Sequence, residues 1–315
     1  MKLLTFTVDD GPRLGARTAS GSIVDLNRAY YAYRLASGDP VSEHRANCEL
    51  PSDMVAFLEA GPRALEHARR ALEYVERGDG PQARGPWDSR VVHAENDVRL
   101  LSPLLRPPKI IGIGLNYRDH AEEQGAKIPK VPMIFAKWPT SLIGASEPIV
   151  YPGITQQLDY EAELAFVIGR RCKDVPAEDA FKYIAGYTIF NDVTARDVQL
   201  GDRQWLRGKT PDRLTPVGPH LVTADEVANP CDVGIRLWLN GELMQDSRTN
   251  QFIWDIPYLV NFLSTAFTLE AGDIVATGTP GGVGFVRQPP VFMRPGDRVR
   301  VEVEGLGALE NEVVA

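Results

Sequence analysis

Residues 158–169, Leu158-Asp159-Tyr160-Glu161-Ala162-Glu163-Leu164-Ala165-Phe166-Val167-Ile168-Gly169, carry an apolar run without helical spacing, closed by glycine. In an extended strand Glu161 and Glu163 project from one face and Ala162, Leu164, Phe166 and Ile168 from the other. Ala165 and Val167 continue the glutamate face, so that face also heads into the interior. Two carboxylates entering closed surroundings repel each other and lose hydration unless a cation compensates them. An isolated Glu-x-Glu is most often a solvated strand face. Here a third acid, Asp192, follows the apolar run Tyr187 to Phe190, a strand whose end is a common place for functional groups. Three oxygen donors without histidine or cysteine suit a hard cation, Mg²⁺ or Mn²⁺.

Working outward, short β-branched runs recur between Gly and Pro at Ile110 to Ile113, Ile235 to Leu239, Ile274 to Ala276 and Val299 to Val303. They lack the strict strand and helix alternation of a doubly wound sheet, so an α+β class is expected. Toward the N-terminus, Leu3 to Val8, Leu14 to Thr18 and Ser22 to Leu26 read as strands around the turn formers Asp9, Asp10, Gly11 and Pro12. Asn27 to Ala36, Ser52 to Glu59 and Ala64 to Arg77 have helical spacing, the last with Leu65, Ala68, Leu72 and Val75 on one stripe. Gly78, Gly80, Pro81, Gly85 and Pro86 mark a boundary. The expected organisation is a small α+β unit over residues 1–80, a connecting segment over 81–104 and a sheet-rich domain over 105–315.

Composition narrows the function. A net charge of −8 argues against nucleic acid or an anionic membrane as the main partner, because both repel an acidic surface on average. No run of apolar residues is long enough for a membrane span. Cys48, Cys172 and Cys231 are odd in number and widely spaced, which suits a reducing compartment; the expectation is cytoplasmic.

After the strand ending at Gly114, residues 116–125 read as a short helix that Asn116 can cap and Gly125 can end. His120 and Glu123 then share a face, a spacing at which a carboxylate orients an imidazole as a general base. The glycine-rich Thr277 to Gly284 can aim N–H groups at an anion, or simply make a tight turn. It lacks the Lys-Ser or Lys-Thr pair of a P-loop, and Gly112-Ile113-Gly114 lacks the third glycine of a dinucleotide site. By residue type alone, Arg196 and Asp197 read as an ion pair and Lys209 as a solvated loop lysine.

Together these segments resemble the fumarylacetoacetate hydrolase superfamily over about residues 107–313. The matching pieces are Gly114-Leu115-Asn116-Tyr117 with His120 and Glu123, Asp159 to Leu164, Asn191 to Asp197, Gly208-Lys209, Asn240-Gly241-Glu242, Glu270 to Ile274, and Thr277 to Pro280. The smaller N-terminal unit and Pro289-Pro290 are more similar to bacterial two-domain members. The resemblance implies a rolled mixed β-sheet, a homodimer, and Glu161, Glu163 and Asp192 as Mg²⁺ or Mn²⁺ ligands. It further implies His120 with Glu123 as a water-activating dyad, Lys209 and Gln199 on developing oxyanion charge, and Gly278 and Thr279 on the substrate carboxylate. The implied activity is hydrolysis of a carbon–carbon bond in a small 2,4-dioxo acid of the acylpyruvate or fumarylpyruvate type. The alternatives are decarboxylation of oxaloacetate, or tautomerisation or isomerisation of a 2-oxo acid.

Overall fold

The computed structural model describes residues 1–8, 11–77 and 82–315. Asp9, Asp10 and the boundary residues Gly78, Gly80 and Pro81 lie outside them. The N-terminal part runs β1 (Lys2–Val8), β2 (Gly11–Arg17), β3 (Ile23–Asp25), α1 (Leu26–Ala36), α2 (Glu43–Glu49), α3 (Met54–Ala60), α4 (Pro62–Glu76), β4 (Val92–His93) and β5 (Arg99–Leu100). Next come β6 (Ile110–Gly114), α5 (Arg118–Glu123), β7 (Met133–Ala136), β8 (Leu142–Ile143), β9 (Ile149–Val150), β10 (Leu158–Asp159), β11 (Ala162–Ile168), β12 (Ile184–Asn191) and β13 (Thr194–Ala195). The chain closes with α6 (Arg196–Asp202), α7 (Leu206–Lys209), β14 (Thr215–Thr223), β15 (Gly234–Leu239), β16 (Glu242–Arg248), α8 (Ile256–Ala266), β17 (Ile274–Ala276), β18 (Arg298–Val303) and β19 (Gly307–Val314).

The class is α+β, as expected. One large sheet has the order β4-β3-β2-β1-β14-β12-β11-β17-β6-β7, and a second has the order β16-β15-β18-β19-β9. Most pairings are antiparallel, but β6 with β17 and β9 with β19 are parallel, so the sheets are mixed. β1 pairs with β14, so hydrogen bonding runs unbroken from the N-terminal strands into those that carry the acids. Gly11 and Pro12 lie within β2 rather than in a turn.

β11 is buried along its whole length, and its two faces serve different cores. Leu164, Phe166 and Ile168 pack with residues of β15, β18 and α8, whereas Ala165 and Val167 pack with the N-terminal helices. The N-terminal helices are thus the cover that the apolar glutamate face required. Burying such side chains contributes roughly 1.5–3 kcal/mol each. In α4, Pro62 opens the helix and Ala68, Leu72 and Val75 supply its buried stripe. Among the described residues no helix is long and apolar enough to cross a membrane.

Candidate active site

The register of β11 against β12 assembles the acids. Ala162 pairs with Asn191 and Glu163 with Phe190, so Glu161, just before β11, meets Asp192, just after β12. The Asp192 N–H donates to the Glu161 carbonyl at 2.9 Å, closing the pair of strands. Glu161, Glu163 and Asp192 are all buried, and each offers a carboxylate oxygen within 4.8 Å of the others.

Basic side chains converge on this triad. The Lys209 ammonium donates to Glu161 Oε2 and Asp192 Oδ2, both at 2.6 Å. Lys137 donates to Asp192 Oδ1 at 2.6 Å, and Arg196 bridges Asp159, at 2.8 Å, and Glu161. Burial would raise the Glu161 carboxyl, but Arg196 and Lys209 outweigh it and bring it down to about 2. Glu163 goes the other way: burial, Asp192 and Glu161 push it well above the carboxylate range. Among the described residues its one donor is the Gly278 N–H, at 2.9 Å, and no lysine or arginine pairs with it. Among the described residues, the lysines and arginines paired with Asp159, Glu161, Glu163 and Asp192 are therefore Lys137, Arg196 and Lys209. An all-oxygen triad that lacks one positive charge fits a hard divalent cation, which would be held by Glu161, Glu163 and Asp192.

Beside the triad lies a cavity of about 140 Å³, lined by Glu161, Glu163, Gln199, Lys209 and Thr279 together with His120 and Gln124. Phe135, Trp205 and Phe285 form apolar walls. Gln199 Oε1 accepts from Arg196 at 3.0 Å, which leaves its amide nitrogen for a ligand oxygen. Thr279 Oγ accepts from Gln245 at 2.9 Å. Glu123 and Gly278 sit behind the lining: Glu123 accepts from the Gly282 N–H at 2.9 Å and lies 3.8 Å from His120 Nδ1, beyond hydrogen-bond range. Burial raises the Glu123 carboxyl, and His120 with the Gly282 N–H overcome that and lower it.

Several residue-type readings are corrected. Lys209 is buried, not solvated, because it closes the end of α7 over two carboxylates. Arg196 pairs with Asp159 and Glu161, while Asp197 accepts from Thr155 and from the Gln156 N–H. Asn116 does not cap α5. It is buried and ties the end of β6 to Trp254 and to the Thr277 carbonyl. The glycine-rich loop aims its N–H groups at the protein's own acids: Gly278 at Glu163, Gly282 at Glu123 and Gly284 at Asp159. Gly278 has φ +95°, and a Cβ there would come within 2.9 Å of Asn116 Cβ. Lys137 and Gln124 were not singled out from the sequence. The alternation in Met133-Ile134-Phe135-Ala136-Lys137 places Lys137 on the inward side with Phe135, a signal that could have found it.

A buried carboxylate triad beside a small polar cavity, carried on mixed sheets, has the make-up of an enzyme centre. Residues 109–314 match the family described as Fumarylacetoacetate (FAA) hydrolase C-terminal, and the chain belongs to that family. It is 42% identical over 319 residues to the oxaloacetate tautomerase fahd2, mitochondrial, of Xenopus laevis, covering 100% of this chain and 90% of that protein. A fumarylacetoacetate hydrolase from psychrophilic Exiguobacterium antarcticum superposes with TM-score 0.78 at 34% identity, covering 100% and 99% of the two chains. The maleylpyruvate hydrolase from Sphingobium sp. SYK-6, in complex with manganese(II) ion and pyruvate, gives 0.73 at 29% identity with the same coverage. The cytoplasmic expectation is overturned by the Xenopus relative, which is mitochondrial by name. Unpaired cysteines mark a reducing environment without choosing the compartment.

Proposed function

We propose that the protein is a metal-dependent tautomerase interconverting the enol and keto forms of oxaloacetate, rather than the hydrolase that the motifs first suggested. The carrying observation is the cavity, which brings His120, Lys209, Glu161 and Glu163 around about 140 Å³, well below the roughly 300–1,000 Å³ of ordinary ligand pockets. That space suits a C4 dicarboxylate better than an extended dioxo acid with its attacking water. The whole-chain similarity to an oxaloacetate tautomerase supports the same choice.

When bound, a divalent cation, Mg²⁺ or Mn²⁺, supplies Lewis-acid stabilisation of negative charge on the substrate's 2-oxygen. Lys209 presents an ammonium to that charge, and the Gln199 amide nitrogen binds a carboxylate oxygen. Thr279 flanks the same end. His120 takes the C3 proton of the keto form and returns it to the 2-oxygen to give the enol; the reverse path restores the ketone. Trp205 and Phe135 keep bulk water from the reacting carbons.

The test is a chelator-treated preparation reloaded with Mn²⁺ or Mg²⁺ and given enol oxaloacetate, with enol absorbance and pyruvate followed separately. Metal-dependent enol loss without pyruvate is expected. Matching pyruvate release would assign a decarboxylase, and faster turnover of acetylpyruvate or fumarylpyruvate would restore the hydrolase. We also infer a homodimer, from the apolar outer side of β7.

A further inference from the structure

His120 has one polar neighbour at each ring nitrogen, Gln124 within hydrogen-bond range of Nε2 and Glu123 beyond it from Nδ1. Gln124 Nε2 lies 2.7 Å from His120 Nε2, one helical turn further along α5. His120 Nδ1 faces Glu123 Oε2 at 3.8 Å. An ionised carboxylate only accepts, so it favours a proton on Nδ1. Nε2 then carries the lone pair, and only an N–H group can face it at 2.7 Å. The Gln124 amide is therefore a donor to Nε2, and both residues line the cavity.

We propose that Gln124 is a positioning residue that locks His120 in the Nδ1–H tautomer and keeps Nε2 as the basic nitrogen aimed at substrate. Both side chains line the cavity, so the amide marks the direction from which a proton must arrive. When a C3–H displaces the amide, Nε2 accepts that proton and the ring becomes imidazolium; returning the proton restores the neutral ring and the amide contact. Gln124 thus occupies the Nε2 lone pair until substrate displaces it, and stops the ring from turning. Glu123 alone cannot do this at 3.8 Å, because its carboxylate is drawn to the Gly282 N–H. The other charged groups around the imidazole are Glu161 across the cavity and Arg287, which acts on Glu123. Asp119, on the same helix, is turned to Ser247.

The role of His120 as base rests on the proposed function, but its tautomer can be read without turnover. In the metal-loaded protein labelled with ¹⁵N-histidine, the His120 signals, assigned by their loss in His120→Asn, should show a protonated Nδ1 and a bare Nε2. Gln124→Leu should mix the tautomers, lower kcat about tenfold at nearly unchanged KM, and move the acid limb of kcat/KM upward by about half a unit to one unit. Gln124→Glu, which keeps the shape and offers an acceptor, should move the limb further. A wild-type ring protonated on Nε2, or a Gln124→Leu variant with unchanged ¹⁵N signals and pH profile, would overturn the proposal. If wild type turns over no 2-oxo acid, the functional reading fails while the ¹⁵N spectra still decide the tautomer.

Discussion

Glu163 is held in a position that costs stability, since it is buried between two carboxylates with only the Gly278 N–H for support. An amide of the same shape carries no charge, so it avoids both that repulsion and the proton uptake that the buried carboxyl is forced into. Glu163→Gln is therefore expected to stabilise the metal-free protein by about 1–3 kcal/mol. The same variant should lose the added thermal stability that Mn²⁺ gives wild type, along with turnover. Denaturation scans with chelator and with Mn²⁺ check both halves; an unchanged response to Mn²⁺ would remove Glu163 from the ligand set. His220 on β14 carries a separate cost. Burial, together with Lys2 and Arg17 nearby, lowers its imidazole from 6.5 to about 4. Below pH 6.5 the unfolded chain takes up a proton that the folded chain refuses, so stability falls as pH drops toward 4. Between pH 7 and 5, wild type should lose about 2 kcal/mol more than His220→Leu in denaturant titrations. Equal losses would show that His220 is protonated in the fold.

At the level of elements, the connection between α6 and α7 sets the width of the cavity. Trp205 meets Phe135 edge-on at 5.5 Å and lies over Gly114, where a Cβ would come within 2.5 Å of the indole. Trp205→Ala should open this wall and raise kcat/KM for a longer 2,4-dioxo acid relative to oxaloacetate by about tenfold. An unchanged ratio would mean that the indole does not limit substrate length. Periodicity could not foresee this wall, because Trp205 lies 91 positions after the glycine that admits it and nothing local ties them. β11 and β17 were legible because uninterrupted apolar runs need no partner to be recognised. β14 was not: Pro216, Gly218 and Pro219 are turn-forming residue types, yet the strand is buried throughout and joins β1 to β12. Tertiary pairing overrode its turn residues. The acids were legible because their alternation shows in one strand, whereas the burial of Lys209 and the partners of Arg196 depend on chain segments meeting from elsewhere.

For the molecule as a whole, the large sheet ends at β7, which among the described residues pairs only with β6 and leaves its other edge open. Open edges are usually protected by charge, proline or cover. Here the alternation sends Phe135 to the cavity and Ile134 outward, where it is 47% exposed, beside Trp138 at 50% and Val131 at 54%. An apolar edge of this kind suits a second copy of the chain meeting it by two-fold symmetry, which would cover both edges at once. Light scattering after gel filtration should therefore give twice the 34.7 kDa chain mass. Ile134→Lys combined with Trp138→Glu should give the mass of one chain without unfolding, since both side chains are half-exposed within the single chain. Activity should fall with the dimer, because β7 also carries Phe135 against Lys209 at 5.0 Å and leads directly into Lys137. A strand loosened on its outer side would hold both less firmly. A wild-type protein of single-chain mass would remove the dimer. A fully active single-chain variant would uncouple the edge from the site, leaving the inward side of β7 rigid on the strength of β6 alone.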